Sequence, residues 1–258
     1  MTKTVLITGA SNGIGLELAK IHAEKGHDLV VVARSEDKLN ALKQQLENAY
    51  SVNVEVIAKD LSLPESAQQV FNYTQAKELQ IDTLINNAGF GGHGKFAERE
   101  LVDEQSMMQV NMVTLTNLTH LYLQGMVERN YGQILNVSST ASFMPGLLQA
   151  VYYATKAYVT SFSQAIAEEV KDHNISVTAL CPGAVDTGFV EAGNLDGVDI
   201  WKNAKSARSV AECGYEAMRK RELVAFNEAP LKFMINWIIP LLPRKIALKI
   251  SRQAMEKN

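Results

Sequence analysis

Tyr152 and Lys156 are a pair of side chains whose types and spacing could move a proton. The stretch Val151–Val170 contains no glycine or proline and is rich in Ala, Ser, Gln and Glu, so it is predicted to be a helix. Residues four apart on a helix share one face, which brings the ammonium beside the phenol. A free tyrosine has a pKa of about 10, and a neighbouring positive charge favours the phenolate. The pair could therefore exchange a proton near neutral pH.

Ser139 adds a third polar group at a compatible position. It follows the mainly apolar run Ile134–Val137, which is predicted to be a strand, and it lies thirteen residues before Tyr152. A serine at the end of a strand can face a tyrosine on the next helix, where its hydroxyl could hold a substrate oxygen. A tyrosine and a lysine four residues apart also occur by chance on helix surfaces, so the pair alone is compatible with a surface position without chemistry.

A glycine-rich turn near the start of the chain could bind a pyrophosphate. Thr4–Thr8 is a short apolar, β-branched run that predicts a buried strand, and Leu16–Lys25 has a helical pattern. Gly9, Gly13 and Gly15 lie between them, in the spacing Gly-x-x-x-Gly-x-Gly. The backbone N–H groups of such a turn and of the following helix converge on one point, which suits phosphate. The alternative is a turn with a purely structural role.

These motifs together resemble the short-chain dehydrogenase/reductase family. The family combines this glycine turn with a serine, a tyrosine thirteen residues later and a lysine four residues further on. Two more segments are similar to family motifs: Asn86–Gly89, which follows the predicted strand Thr83–Ile85, and Pro182–Thr187, which follows the predicted strand Ile175–Leu180. The similar segments extend from residue 4 to about residue 227.

The resemblance implies a role for each polar group of the catalytic segment. It selects Tyr152 rather than Tyr153 as the proton donor, and Ser139 rather than Ser138 as the group that fixes the substrate oxygen. Lys156 is expected to hydrogen-bond the nicotinamide ribose. With the positive ring of an oxidised nicotinamide, it is also expected to lower the pKa of the tyrosine from about 10 to about 7, which requires roughly 4 kcal/mol.

Asn111 is the fourth catalytic residue that the resemblance implies. It lies in the predicted helix Leu101–Arg129. An asparagine at this place in the family distorts the helix and holds a water that leads to the catalytic lysine, whereas composition alone would give it a surface or packing role. The residues expected at the dinucleotide are Gly9, Ser11, Asn12, Gly13, Ile14, Gly15, Arg34, Ser35, Asp60, Leu61, Asn87, Ala88, Gly89, Tyr152, Lys156, Pro182, Gly183, Val185 and Thr187.

Arg34 bears on which dinucleotide is preferred. Ala33, at the end of the second predicted strand, stands where a carboxylate commonly binds the ribose 2′-hydroxyl of NAD. The guanidinium of Arg34 can pair with a 2′-phosphate, so we expect NADP(H) to be preferred over NAD(H). Three points keep the alternative open. Glu36 and Asp37 are close by, the arginine could be a solvated surface residue, and Asn12 stands where some NADP-preferring relatives carry a basic residue.

Predicted strands and helices alternate along the chain with short connections. This alternation predicts an α/β, single-domain Rossmann fold with a doubly wound parallel sheet and helices on both faces. We expect a dinucleotide-binding and catalytic domain at residues 1–229 and an apolar, basic helical appendage at residues 230–258. Ser35 is predicted to cap the second helix, and Ser62–Glu65 has the pattern of a capping box with Pro64 as the first helical residue of the third.

Composition excludes several classes of protein. The chain has 258 residues, 47% of them hydrophobic and 21% charged, and a net charge of −3, so nucleic acid is not an expected partner. Two cysteines do not form a disulfide framework, which favours a reducing, cytoplasmic location. Five scattered histidines lack ligand spacing, so no metal site is expected. Met1–Thr4 leads directly into a strand, so no signal or transit peptide is expected.

The C-terminal stretch Pro230–Asn258 is basic and apolar. It contains six Lys or Arg and one Glu, a net charge of +5, so the other residues carry −8 of the total of −3. Its apolar run Phe233–Leu242 is interrupted by Asn236 and Pro240 and is too short to span a bilayer. Two interpretations stay open: Trp237 and its apolar neighbours pack on the domain or on a dimer mate, or they form an interfacial anchor on anionic lipid.

The combined prediction is an NADP(H)-dependent oxidoreductase that interconverts a carbonyl and a secondary alcohol. Apolar side chains in the predicted lid Phe189–Lys205 and in the C-terminal stretch favour an apolar substrate, such as an acyl, steroid-like or retinoid-like carbonyl. The alternatives are a catalytically idle NADP-binding regulator and a membrane-surface binding protein. The helices Leu101–Arg129 and Val151–Val170 correspond to helices that pair across a two-fold axis in relatives, so we expect at least a homodimer, with a homotetramer left open.

Overall fold

A parallel sheet forms the centre of the structure, a computed structural model that describes residues 3–256. The strands are β1 (Thr4–Thr8), β2 (Asp28–Ala33), β3 (Val54–Ala58), β4 (Thr83–Asn86), β5 (Gly132–Val137), β6 (Ile175–Leu180), β7 (Val185–Asp186), β8 (Lys205–Ser206) and β9 (Val224–Ala225). Within the described range, the main sheet has seven parallel strands in the order β3-β2-β1-β4-β5-β6-β9, and β7 pairs separately with β8.

Helices cover both faces of this sheet. They are α1 (Gly13–Glu24), α2 (Glu36–Ala49), α3 (Ser66–Ala76), α4 (Leu101–Met108), α5 (Leu115–Glu128), α6 (Ala150–Glu169), α7 (Phe189–Ala192), α8 (Ala207–Arg219), α9 (Ala229–Phe233) and α10 (Arg244–Met255). Successive strand residues point to opposite faces. Val5 and Ile7 accordingly pack with α1, α2 and α8, and Leu6 packs with α3 and α5. The predicted doubly wound Rossmann fold is confirmed.

The strand order reverses beside β1, and this reversal positions the site. β1 pairs with β2 on one side and with β4 on the other, so the connections leaving β1 and β4 diverge to opposite faces. In open α/β sheets the ligand cleft lies outside the carboxyl ends of the strands at such a switch point. The segments that follow β1, β4, β5 and β6 carry the motifs singled out in the sequence, and the fold brings them to this one edge.

The predicted helix Leu101–Arg129 is interrupted by a π-helical segment, Gln109–Thr114, between α4 and α5. Asn111 lies inside this segment and is buried. Its amide does not face solvent but bonds to the backbone of Phe90, twenty-one residues earlier in the chain. Single-turn π segments are frequent at functional sites.

One predicted helix start needs correction, and one predicted cap lacks its hydrogen bond. α3 begins at Ser66 and not at Leu63 or Pro64, because the Ser62 hydroxyl donates to Asp60 (2.8 Å) instead of capping a helix. Ser35 occupies the position before α2, but its hydroxyl makes no capping hydrogen bond. The start of α2 directly after Ser35 agrees with the prediction, so only the start of α3 differs.

The C-terminal stretch has a buried side and an exposed side. Ile235 and Met255 are buried, the Ser251 hydroxyl accepts the backbone N–H of Leu147, and the His93 ring bonds to the carbonyl of Met255. No helix among residues 3–256 has the length and apolar character needed to cross a bilayer. The last two residues of the expected appendage lie outside the described residues.

Candidate active site

A cavity of about 670 Å³ extends along the carboxyl edge of the sheet. Its wall runs from the turn after β1 and the ends of β2 and β3, past the ends of β4, β5 and β6, to α7 and the end of α10. Every residue predicted for catalysis or for the dinucleotide lines this cavity except Gly15 and Asn111, which lie directly behind its wall. Segments separated by more than a hundred residues thus form one continuous site.

The glycine turn after β1 is packed tightly against the end of β4. Gly9 has a φ of +68°, and a Cβ on it would lie 2.8 Å from the Asn87 amide nitrogen. A Cβ on Gly15 would overlap the carbonyl oxygen of Gly9. The Asn87 amide donates to the carbonyls of Thr8 (2.9 Å) and Gly9 (3.2 Å), which locks the turn in place. These glycines are therefore required by close backbone approach and not by flexibility.

The end of this turn offers backbone donors to an anion. α1 begins at Gly13, after Asn12, and the first N–H groups of any helix lack partners within the helix. Gly13 and Ile14 line the cavity, so these N–H groups lie at its wall. The glycine cradle, the helix N-terminus and the length of the cavity fit a dinucleotide with its pyrophosphate on the turn. A larger side chain at Gly13 would collide with Thr187 on the opposite wall.

The cavity end beside β2 and β3 is rich in positive charge. Arg34, Lys38 and Lys59 line it, whereas Glu36 and Asp37 do not. The acid at this end, Asp60, accepts the backbone N–H of Ser62 (2.9 Å) and the Ser62 hydroxyl. These bonds, and to a smaller extent the Arg34 charge, hold the pKa of Asp60 below its usual value. Three cations therefore face one engaged carboxylate where the adenosine half of a dinucleotide would lie.

Tyr152 and Lys156 lie in the first two turns of α6, on the face turned to the sheet. The Lys156 ammonium donates to the carbonyl of Val137 at the end of β5 (2.8 Å) and lies 5.8 Å from the centre of the Tyr152 ring. The Tyr152 ring packs against Phe189, with 5.4 Å between ring centres, and contacts Met107. Both side chains are at least nine-tenths buried, so neither is a surface residue.

Burial dominates the pKa values of this pair in the protein alone. Burial raises the pKa of the Tyr152 phenol above its usual value, and the adjacent Ser139 hydroxyl offsets only part of that shift. Burial also lowers the pKa of the Lys156 ammonium to about 8. The expected lowering of the Tyr152 pKa relied on Lys156 together with the positive ring of an oxidised nicotinamide, so it concerns the protein with bound cofactor and stays a prediction. The protein alone therefore keeps the phenol protonated, as a proton donor requires.

The two serines after β5 have different surroundings. The Ser138 hydroxyl donates to the carbonyl of Lys156 (2.9 Å) and lies 2.6 Å from the Thr160 hydroxyl, so it ties β5 to α6. The Ser139 hydroxyl accepts the N–H of Ala141 (3.1 Å) and donates a long hydrogen bond to the carbonyl of Pro182 (3.5 Å), for which a ligand oxygen in the cavity can substitute. This arrangement favours Ser139 over Ser138 as the group that holds a substrate oxygen.

Asn111 lies behind the wall and shapes the loop after β4. Its amide oxygen accepts the N–H of Phe90 (3.1 Å), and its amide nitrogen donates to the carbonyl of Phe90 (3.0 Å) and to the Thr155 hydroxyl (3.1 Å). A Cβ on Gly89 would lie 3.0 Å from the Asn111 amide oxygen and 3.4 Å from the Lys156 ammonium. Asn111 is therefore close to the lysine, and its observed contacts fix the Gly89–Phe90 backbone.

Among the other cavity residues, Phe189 and Trp201 belong to the predicted lid, whereas Gln149 and Met255 were not predicted as site residues from the sequence. Phe189, Trp201 and Met255 form an apolar wall near Tyr152. Gln149 also lines this part and is 5% exposed, and its amide nitrogen has no hydrogen-bond partner among the residues described here. It is the residue immediately before α6, three positions before Tyr152, and no motif in the sequence marks it. Met255 could not have been found from local sequence.

Known proteins share both the sequence and the fold of this chain. A sequence profile described as short chain dehydrogenase matches residues 3–196. The very-long-chain 3-oxoacyl-CoA reductase of Mus musculus is 34% identical over 186 residues, which are 70% of this chain and 59% of that protein. The matched region thus spans less than two thirds of that relative's own length.

Two solved structures illustrate the similarity in fold. A short-chain dehydrogenase from Sphingobium yanoikuyae, in complex with NADPH, is 30% identical, has a TM-score of 0.84, and aligns over 97% of this chain and 94% of its own. A second, from Burkholderia phymatum in complex with NAD, is 22% identical, has a TM-score of 0.81, and aligns over 91% of this chain and 92% of its own. The latter shows likeness of fold alone. The predicted resemblance is confirmed, and the chain belongs to the short-chain dehydrogenase/reductase family, which binds nicotinamide cofactors.

Proposed function

We propose that the protein is an NADP(H)-dependent reductase of apolar ketones, interconverting a carbonyl and a secondary alcohol. One observation carries the proposal: a buried, protonated phenol, a serine hydroxyl and a lysine ammonium lie in the same cavity as a glycine cradle for a dinucleotide. A nicotinamide, when bound, supplies the hydride. The residues of the chain supply orientation, polarisation and the proton.

Ser139 and Tyr152 act on the substrate oxygen in this proposal. The Ser139 hydroxyl donates a hydrogen bond to the carbonyl oxygen and withdraws electron density from the carbonyl carbon. As negative charge develops on that oxygen, the Tyr152 phenol donates its proton to it and becomes a phenolate. Burial makes the phenolate costly, so a nearby positive charge must stabilise it while it exists.

Lys156 supplies that positive charge. Its buried ammonium donates a hydrogen bond to the carbonyl of Val137 and lies 5.8 Å from the centre of the Tyr152 ring. With a pKa of about 8, it is mostly protonated at neutral pH. Lys156 therefore favours proton release from the phenol even though its ammonium is bonded to a backbone oxygen. Asn111 supports this geometry by holding the neighbouring backbone at Phe90.

The charge at the adenosine end supports NADP(H) over NAD(H). Arg34, Lys38 and Lys59 could together neutralise a 2′-phosphate, and a guanidinium can bond two phosphate oxygens at once. Glu36 and Asp37, which left the preference open, do not line the cavity. A 2′-hydroxyl alone would leave these three cations facing Asp60, whose carboxylate is already bonded to Ser62.

The lining of the substrate end favours an apolar substrate that carries a second polar group besides the reacting carbonyl. Phe189, Trp201 and Met255 provide an apolar wall. Gln149 lines the same part, and its amide nitrogen is buried without a partner among the described residues, so a rotation of this side chain would bring a proton donor to the substrate. Leaving that nitrogen unpaired when the cavity closes costs about 1–3 kcal/mol, so a substrate that accepts its hydrogen bond is favoured. A 3-oxoacyl group has a ketone and a second carbonyl two carbons away. The mouse relative is named for that substrate class.

A matched pair of substrates tests this function. We expect NADPH-dependent reduction of a medium-chain 3-oxoacyl thioester to exceed reduction of the methyl ketone of equal chain length by about tenfold in kcat/KM. NADPH should support the reaction better than NADH. Binding of NADPH with no turnover of either substrate, or of a wider ketone panel, would instead favour an idle NADP-binding regulator.

We further propose a homodimer that pairs the outer faces of α5 and α6. Tyr158 is exposed on α6, stacks on Phe162 at 5.7 Å and shares a hydrogen bond with Thr116 of α5. Val113 is exposed on the adjacent π-helical segment. This preorganised aromatic surface suits an isologous contact. Light scattering should give about twice the chain mass of 28.4 kDa, and a concentration-independent 28.4 kDa species would contradict the dimer.

A further inference from the structure

Exposed apolar side chains are concentrated in the C-terminal stretch. Among residues 3–256, fifteen large hydrophobic side chains are exposed, and eight of them fall between residues 233 and 250. Trp237 is 67% exposed, Leu241 is 83% exposed and Phe233 is 60% exposed. Scattered exposed apolar residues are ordinary, but a contiguous patch usually marks an interaction site. We call the exposed side chains of residues 232–252 the C-terminal surface.

The same surface is uniformly basic. Lys232, Arg244, Lys245, Lys249 and Arg252 are all exposed, and the sequence has no acidic residue between Glu228 and Glu256. Elsewhere on the molecule cations commonly have acidic neighbours, as in the pair of Arg219 with Glu216 at 2.8 Å. Aromatic and aliphatic side chains mixed with lysine and arginine are typical of segments that lie in the headgroup layer of an anionic membrane.

A second copy of the chain is a poorer partner for this surface. An isologous contact would bring the five cations of one copy against the five of the other, with no acid of either stretch between them. Such like-charge juxtaposition costs several kcal/mol in a protein interface. Phosphate groups of anionic lipid neutralise the same charges, and the acyl region accepts Trp237 and Leu241.

The surface lies on the back of the cavity wall. Met255 lines the cavity. Ile246 and Lys249 lie on the opposite side of α10 and are exposed. α10 is therefore amphipathic, with its inner side closing the substrate end. A bilayer on its outer side would bring that end of the cavity close to lipid.

We propose that the C-terminal surface docks the protein on anionic lipid bilayers, with Trp237 and Leu241 in the headgroup layer and the basic side chains on lipid phosphates. This docking is peripheral, since no helix of the described residues can cross a bilayer. It does not depend on the reaction. Delivery of an apolar substrate from the membrane is a consequence that rests on the proposed function as well.

Vesicle sedimentation of the full chain tests the docking without using activity. We expect binding to phosphatidylcholine vesicles containing about one-third phosphatidylserine, weak binding to phosphatidylcholine alone, and loss of binding at high salt. The double variant Lys245→Gln, Lys249→Gln should bind about 25-fold more weakly, about fivefold for each charge removed. Trp237→Glu with Leu241→Glu should bind at least as weakly. Leu223→Glu, a matched exposed position outside the surface, should bind like the parent.

Trp237 reports the contact directly. Brominated lipid should quench its fluorescence in the parent, and Trp237→Phe should remove that lipid-dependent quenching. NADPH-induced thermal stabilisation checks that each variant is folded. Absence of sedimentation with anionic vesicles overturns the proposal. It is also overturned if Trp237→Glu with Leu241→Glu halves the mass in light scattering, because the surface would then be a contact between copies.

Discussion

The two ends of the cavity are built in different ways. At the dinucleotide end, Gly9 and Gly15 meet the Asn87 amide and backbone atoms so closely that a single methyl group has no room. At the substrate end, Phe189, Trp201 and Met255 come from three separate segments and meet through side chains alone. The first end is rigid backbone with an electrostatic surface, and the second is an apolar wall that side-chain changes can reshape.

This difference indicates which features can vary without loss of the reaction. Backbone cradles tolerate little change because every substituent meets a neighbouring main chain. An apolar wall tolerates exchange of one hydrophobic side chain for another, at a cost of about 1–3 kcal/mol or less. Tyr152 and Lys156 lie where the two ends meet and depend on both. We therefore expect the rigid end to determine cofactor binding and the reaction, and the apolar end to determine which substrate is accepted.

Gly15→Ala should have a very large effect on the dinucleotide end. The added Cβ overlaps the Gly9 carbonyl oxygen and the Asn87 amide, so the turn must move away from β4. A displacement of about 1 Å can cost about 10²-fold, and we expect NADPH affinity to fall by about that factor in titration calorimetry. Gly125→Ala, in α5 with only the Arg129 side chain nearby, is the matched control and should bind NADPH normally. If Gly15→Ala bound NADPH as tightly as the parent protein, the glycine turn would not be rigid.

Arg34→Ala should affect the same end selectively. Loss of a charge-assisted hydrogen bond costs about 1.5–3 kcal/mol, so NADPH affinity should fall by about 10-fold to 100-fold while NADH affinity changes little. Arg219→Ala removes an exposed arginine that pairs with Glu216 away from the cavity and should leave both affinities unchanged. A similar loss for both dinucleotides would mean that Arg34 does not contact the 2′-phosphate.

The pH dependence of kcat/KM tests the roles of Tyr152 and Lys156, which lie where the two ends of the cavity meet. Lys156 is protonated below its folded-state pKa of about 8 and loses its charge above it. Tyr152 has a raised pKa and stays protonated throughout this range. We expect kcat/KM for ketone reduction to be level at neutral pH and to fall up to tenfold per pH unit above about 8. The guanidinium of Lys156→Arg does not titrate there, so any residual activity should lack this decline.

Gln149→Leu should have a smaller effect, confined to the substrate end. KM for a 3-oxoacyl thioester should rise about tenfold, while a simple ketone of equal length should be nearly unaffected. Because the amide nitrogen has no partner among the described residues, the substitution should also raise the free energy of unfolding by up to about 1 kcal/mol. Equal changes in KM for both substrates would mean that Gln149 only shapes the cavity. Gln124→Leu, exposed on α5, is the control.

The sequence predicts the elements that depend on neighbouring residues better than those that depend on distant contacts. The strands β1, β2 and β4 and most of α6 agree with the sequence, because apolar runs, glycine turns and uninterrupted helical stretches are properties of neighbouring residues. The π-helical segment around Asn111 was not delimited, since the bonds that stabilise it come from Phe90, twenty-one residues away. The start of α3 was misplaced because Ser62 bonds to Asp60.

The candidate site likewise combines residues that sequence motifs predict with contacts that only the fold creates. The predicted residues are brought to one cavity, with Gly15 and Asn111 behind its wall, since they lie at strand ends or on helices that pack beside those ends. The expected lowering of the Tyr152 pKa depends on a bound oxidised nicotinamide and stays a prediction, whereas the raised pKa in the protein alone comes from burial, which spacing does not reveal. Met255 contributes to the cavity from a helix held to His93, 162 positions away, and no local motif indicates that contact.

The central claim is that Tyr152 donates the proton, and its adjacent tyrosine offers an internal control. Tyr152→Phe preserves the ring that packs on Phe189 and removes only the hydroxyl, and Tyr153→Phe does the same one position on. Single-turnover reduction with NADPH should slow by at least about 10²-fold in Tyr152→Phe, with NADPH affinity unchanged. Tyr153→Phe should retain most of the parent rate. An active Tyr152→Phe beside an inactive Tyr153→Phe would contradict the account.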